Sequence, residues 1–223
     1  RIRFTFDLLG DRTTVLKAHY GHYSEAMLAS YHDRMNPSSA YSDYIGYEWI
    51  EGQWEEWLRV VHEDLYKMDP NIKHPYMEQF TVSLERELFK DSSFSISYIY
   101  RNWKNIMGPI DRNADYEPYP LTVPDYGDYT IYQRTADTVN TFDYLITNLE
   151  TAYKSGYPWI LLNPYRRYQG VEFLFNKRFS NRWQLLASYT LSKAYGTTDN
   201  GQADDIGWGG DVYDPNFWIN AEG

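Results

Sequence analysis

Between Tyr168 and Gly196 the sequence YQGVEFLFNKRFSNRWQLLASYTLSKAYG alternates with a period of two on both sides of one short polar break. Val171, Phe173, Phe175 and Phe179 fall on one parity, and Glu172, Asn176 and Arg178 on the other. After Ser180-Asn181 the pattern resumes with Trp183, Leu185, Ala187, Tyr189 and Leu191 against Gln184, Ser188, Thr190 and Ser192. Alternation on this scale specifies strands with one apolar and one polar face, and the tight break makes them a β-hairpin over 168–196. The polar face carries full charges and the apolar face is broad and aromatic. In a sandwich such an apolar face is the dry core; in a membrane barrel it meets lipid, and the charged face lines the lumen.

The same design recurs twice. Ile2, Phe4, Phe6 and Leu8 alternate with Arg3, Thr5 and Asp7, and beyond Gly10-Asp11 the residues Leu16, Ala18 and Tyr20 alternate with Lys17 and His19, giving a hairpin over 1–23. Phe80, Val82, Leu84 and Leu88 alternate with Thr81, Ser83, Glu85 and Glu87, then Phe94, Ile96, Tyr98 and Tyr100 with Ser95, Ser97 and Arg101, giving a hairpin over 77–103. Long stretches separate and follow them, at 24–76, 104–167 and 197–223. Within these, 24–31 reads as a short helical turn, and 44–49 with 53–60 as a strand pair or a helix. Residues 128–134 with 141–148 read as a second strand pair. Loops of this length are uncommon inside compact soluble domains, whereas short turns on one side and long loops on the other are the plan of an outer-membrane barrel. Each strand offers about ten alternating residues, the number a tilted strand needs to cross a bilayer core. Phe89, Phe94, Phe179 and Trp183 sit beside the short turns, where a periplasmic aromatic girdle is expected. Tyr168 and Tyr195 approach the opposite rim.

Composition removes several alternatives. Aromatics make up 18% of the chain, with 23 Tyr and 8 Trp, which suits interfaces where one end of a ring is wet. A net charge of −10 argues against binding to a phosphate backbone, so no nucleic-acid partner is expected. With no Cys, disulfide scaffolds, Cys-ligated zinc and thiol catalysis are excluded. The mean hydropathy of −0.66 and the lack of a long apolar run exclude a transmembrane helix and are silent on a barrel.

Four segments, FTFDLLGDRTTVLKAHYGHY, PYMEQFTVSLERELFKDSSFSISYIYR, YQGVEFLFNKRFSNRWQLLASYTLSKAYG and DPNFWINAEG, together resemble the barrel of TonB-dependent outer-membrane receptors. The resemblance is to the Oar-like group that carries an N-terminal carboxypeptidase-regulatory-like domain. It implies an energised receptor that imports a bulky ligand, with a plug in the barrel and a periplasmic contact to the TonB complex through parts outside this sequence. The expected architecture is all-β, an antiparallel up-and-down transmembrane β-barrel segment of about six spanning strands plus extracellular loop hairpins. Residues 1–223 are expected to form a fragment of one outer-membrane barrel domain with lipid around it. No enzymatic activity and no cofactor are expected.

Candidate residues follow from this layout. Glu85, Glu87, Arg101, Glu172 and Arg178 are expected to face the lumen as a charge ladder. Lys177 breaks the alternation near the turn, where its amine is expected to reach lipid headgroups. The loop aromatics Trp49, Trp54, Trp57, Tyr126, Tyr129 and Trp208 are the candidate ligand contacts, although for the three tryptophans mutual packing under the loop is the favoured reading. Asp199, Asn200, Asp204, Asp205 and Asp211 gather oxygen donors for a weak calcium candidate, but their spacing does not fit an EF-hand, and a solvated acidic loop is preferred. His19 and His22, three apart on a strand, point to opposite faces and do not form a metal pair. A soluble extracellular β-rich carbohydrate-binding module is the main alternative. A glycosidase using Glu55, Glu56, Glu63 and Asp64 beside the tryptophans comes third. The discriminating feature is where Phe80, Val82, Phe94, Ile96, Phe173, Phe175, Leu185 and Leu191 point.

Overall fold

A computed structural model of the chain describes residues 1–25, 44–60, 66–138, 141–198 and 215–219. The three hairpins form as β1 (Ile2–Asp7) with β2 (Thr14–Ser24), β6 (Tyr76–Phe89) with β7 (Ser92–Lys104), and β12 (Arg166–Ser180) with β13 (Trp183–Gly196). They join edge to edge into one six-stranded antiparallel sheet in the order β1-β2-β6-β7-β12-β13. The sequence reading stands on strand identity and falls short on length. β6, β7, β12 and β13 run to 14, 13, 15 and 14 residues, several more than a tilted crossing of about ten requires.

The turns explain why the hairpins close where they do. Asn181 and Arg182 both have positive φ, 53° and 68°, the pattern of a type I′ turn, whose twist matches that of its strands. The loop between β1 and β2 is tied by its own acids. The Asp7 carboxylate accepts from the amides of Gly10 (3.0 Å) and Arg12 (2.8 Å), and Asp11 accepts from the amide and hydroxyl of Thr13. Those two Thr13 hydrogen bonds hold the Asp11 carboxyl below its usual range.

Register carries the alternation across the whole sheet. Phe6, Leu16, Leu84, Ile96, Phe173 and Tyr189 follow one another from strand to strand, and Phe4, Ala18, Val82, Tyr98, Val171 and Leu191 form the next row. One face is therefore apolar through all six strands. None of the buried apolar residues comes from this sheet, and none of the eight residues named above as discriminating is buried. Among the described residues no second layer covers the apolar face.

The dry core lies instead among the long connections. β5 (Tyr66–Met68), β11 (Tyr144–Asn148) and β8 (Met107–Asp111) form a three-stranded sheet, followed by helix α1 (Leu149–Lys154). Ile106, Ile110, Leu149, Ala152 and Ile160 pack there with Trp218 of helix α2 (Pro215–Ile219). Asn148 staples the connections together. Its amide donates to the carbonyls of Lys73 (2.8 Å) and Asn105 (3.0 Å), and its carbonyl accepts from the Lys73 amide (2.7 Å).

Two further hairpins stand apart from this core sheet: β3 (Tyr44–Ile50) with β4 (Gln53–Val60), and β9 (Tyr116–Val123) with β10 (Gly127–Arg134). The first settles 44–60 as a strand pair. The second corrects the expected pairing of 128–134 with 141–148. β10 pairs with β9 across a short polar turn, while β11 is bordered by β8 and β5. Most of the segment read as a helical turn, 24–31, lies outside the described residues.

Candidate functional site

The two faces of the six-stranded sheet offer different chemistry. The polar face gathers its charges in two groups rather than along one ladder. At the short-turn end Glu85, Glu87 and Arg178 share a groove with Arg12, Lys17 and Asn176. Lys17 pairs with Glu85 at 2.5 Å, both partly exposed. At the long-loop end Arg101 donates from Nε to Gln79 Oε1 (3.0 Å), with its guanidinium 5.1 Å from the Tyr168 ring. Glu172 lies between the groups, flanked in register by Ser97 and Thr190. All five predicted inward residues are on this face, but the ladder is broken. Sequence reasoning missed Lys17 as a member, although its parity on β2, opposite to Leu16 and Ala18, was the signal. His19 is also on the polar face, while His22 is on the other and stacks on Tyr76 at 4.1 Å.

Lys177 departs from expectation. A bulge between Lys177 and Ser180 lets the side chain turn back, leaving the residue 3% exposed. Its amine donates to the Arg178 carbonyl (2.7 Å) and the Ser180 hydroxyl, and lies 5.0 Å from the Trp183 ring. The turn supplies the acceptors that water or headgroups would otherwise give, so this lysine braces the hairpin.

The apolar face ends in exposed rings at both borders, purely apolar ones joined by Trp183 at the short turns and tyrosines at the long loops. Leu88, Phe89, Phe179 and Trp183 are exposed beside the short turns. At the other border Tyr20 donates to Glu78 (2.9 Å), and Lys193 lies 5.7 Å from the Tyr195 ring. An apolar band between two aromatic borders, backed by a charged inner face, is the surface of a lipid-embedded wall. Residues 1–221 match a family model described as the outer membrane beta barrel domain.

The chain belongs to that family.

No curated protein matches the chain. Membership places this barrel in the bacterial outer membrane, with short turns facing the periplasm and long loops facing outward. The soluble module is set aside by the same facts, since its apolar parity needed a covering sheet.

The predicted ligand aromatics do not form one cluster. Trp49 and Trp54 oppose each other across β3 and β4 in an edge contact at 5.2 Å. They remain 55% and 66% exposed, so they pack together without being buried under the loop. Trp57, three residues beyond Trp54 on β4, falls on the other side of the ribbon, where it sits at the bulge opposite Gly46 and Tyr47 and covers Gly46; a Cβ there would meet the indole Nε1 at 2.7 Å. Tyr126 and Tyr129 share the tip of the β9–β10 hairpin, the Tyr129 hydroxyl donating to the Tyr126 carbonyl (3.2 Å). Trp208 and the calcium candidates Asp199, Asp204 and Asp205 lie outside the described residues, as do Glu63 and Asp64. Glu56 accepts from Arg59 Nε (2.8 Å) and Nη2 (2.7 Å), which holds its carboxyl below the usual range. A glycosidase acid needs the reverse shift.

Missed entirely from sequence was a buried ion pair in the loop core. Asp111 is fully buried, and Arg134 Nη1 stands 2.7 Å from its Oδ2. Asp111 Oδ1 accepts from the amides of Asn113 and Asp143, each at 3.0 Å. Arg134 also donates to the carbonyls of Thr138 (2.7 Å) and Thr141 and covers the Phe142 ring at 4.6 Å. Beside it, hydrogen bonds from Arg112 and then Lys67 keep the Asp143 carboxyl below its ordinary range. The pair comes from β8 and β10, far apart in sequence, and no spacing announced it.

Proposed function

We propose that the chain supplies six strands to the barrel of a TonB-dependent outer-membrane transporter that takes up a bulky ligand with energy coupled through TonB. The observation supporting this most directly is a charged inner face combined with long outer loops that carry their own buried core. A passive pore needs no such folded superstructure, whereas a receptor needs a preformed surface to hold a large ligand before transport. The resemblance of the four sequence segments to TonB-dependent receptors points the same way. In this reading the exposed rings of Trp49, Trp54, Tyr126 and Tyr129 make first contact with the ligand. The inner groups around Glu85 and Arg101 face whatever fills the barrel.

The test is photocrosslinking of the full-length protein to TonB in intact cells. A specific crosslink that disappears when the periplasmic coupling segment is deleted is expected. Crosslinking no stronger than that of an unrelated porin would overturn the proposal.

A further inference from the structure

The apolar band of the sheet gives way to cations at its outward border, and those cations are organised. Moving toward the long loops on the lipid-facing parity, Val82, Tyr98, Val171 and Leu191 are followed by Phe80, Tyr100, Gln169 and Lys193, and then by Glu78, Asn102, Arg167 and Tyr195. Arg167 opposes Asn102 on one side and Tyr195 on the other. Lys104 on β7 and Lys193 on β13 are therefore its diagonal neighbours, with Cβ separations of about 7–8 Å each. The line Lys104, Arg167, Lys193 crosses three strands of one face.

Two of the three are held by a pair of rings. The Arg167 guanidinium lies 5.3 Å from the Tyr165 ring and the Lys193 amine 5.7 Å from the Tyr195 ring. Tyr165 and Tyr195 themselves meet edge on at 6.4 Å. Each cation thus rests on an aromatic surface, and the two surfaces are in contact. Arg167 and Lys193 are exposed, and among the described residues none of the three cations has a carboxylate partner. The acid on the same border, Glu78, is occupied by the Tyr20 hydroxyl. Three cations without a carboxylate partner among the described residues, in a chain of net charge −10 and placed where the hydrocarbon-facing band ends, match a phosphate-bearing headgroup of the outer leaflet.

We infer that Lys104, Arg167 and Lys193, braced by Tyr165 and Tyr195, form a binding site for a phosphorylated glycolipid of the outer leaflet, with acyl chains running down the Tyr98, Val171 and Leu191 row. The site depends on the membrane orientation of the barrel and not on the transported ligand.

The experiment reconstitutes the full-length protein in phosphatidylcholine vesicles with and without diphosphorylated lipid A, then counts retained lipid by native mass spectrometry after detergent exchange. The wild type is expected to keep lipid A in preference to phosphatidylcholine. The R167Q/K193Q double variant should lose about ten- to thirty-fold of that preference, the size expected for removing two cations from a lipid-surface contact. R167K/K193R should retain it, which separates lost charge from lost folding. Arg86→Gln, a cation on the same face at the short-turn end, should leave it unchanged. Excess inorganic phosphate should not displace the lipid. Equal retention of both lipids, full retention in the double variant, or complete displacement by inorganic phosphate would each overturn the assignment.

Discussion

Asp111 and Arg134 form an ion pair sealed inside the loop core, where removing one partner strands the other. Arg134→Met leaves a buried carboxylate without its cation and should cost the loop core about 3–5 kcal/mol, whereas an exposed pair such as Lys154–Glu150 is worth at most about 1 kcal/mol. Resistance of the outer loops to protease added to whole cells reads this directly, and unchanged resistance would contradict the role given to the pair. Tyr157 adds a pH dependence to the same core. Its hydroxyl donates to the Asp111 carbonyl (2.9 Å), and burial, with the Asp111 charge next, pushes the phenol well above its ordinary value. The protonated phenol is the form the fold favours. Its contribution is therefore complete below about pH 10, the unfolded value, and drains away as pH rises from there toward the folded one. Tyr157→Phe should flatten the loss of protease resistance above about pH 10, and an identical profile in the variant would refute it. Gly196 works at the junction of wall and loops. A Cβ there would lie 2.3 Å from the Tyr165 carbonyl oxygen, so even alanine must displace the backbone.

At the scale of elements, helix α2 is short and owes its position to two side chains. Asn216 exchanges hydrogen bonds with the Tyr132 backbone on β10, both at 2.7 Å, and Trp218 is buried among Ile106, Ile110 and Leu149. Trp218→Ala should weaken the loop core by about 3–5 kcal/mol while leaving the six-stranded wall assembled. Heat-modifiable migration of the full-length barrel should persist as external proteolysis increases, and joint loss of both would place Trp218 in the wall's own stability. The wall was legible in the sequence because each of its strands obeys one local rule, a period of two, and register then follows from keeping Phe173 and Ile96 on one side. The loop elements were not, because their residues are arranged by contacts across long stretches of chain. Tyr144–Asn148 reads as half of a hairpin until the parallel neighbour β5 is known, and Trp57 is a neighbour of Trp54 on the helical alternative for 53–60 but faces away from it on the strand that forms. Lys177 was misread for a related reason: parity fixes where a Cβ points, and a four-carbon stem can still turn back to a bulge.

For the whole molecule, the decisive property is that a single sheet presents hydrocarbon-compatible rings on one side and ionised groups on the other. Ile96→Arg puts a charge amid the apolar rows and should cost about 2–4 kcal/mol, whereas Ser97→Arg, one residue on, meets the aqueous side and should be tolerated. Assembly yield of the two variants in outer membranes measures the difference, and equal yields would contradict the assignment of faces. The docking of Trp218 also bears on the order of assembly. The loop core draws on segments that precede β6, follow β7 and follow β13, so it is complete only when segments from both ends of the wall have come together. Contacts of such long sequence separation form late. The shape of the outer surface therefore depends on three separate stretches of chain meeting, and a change in any one of them is felt by the other two.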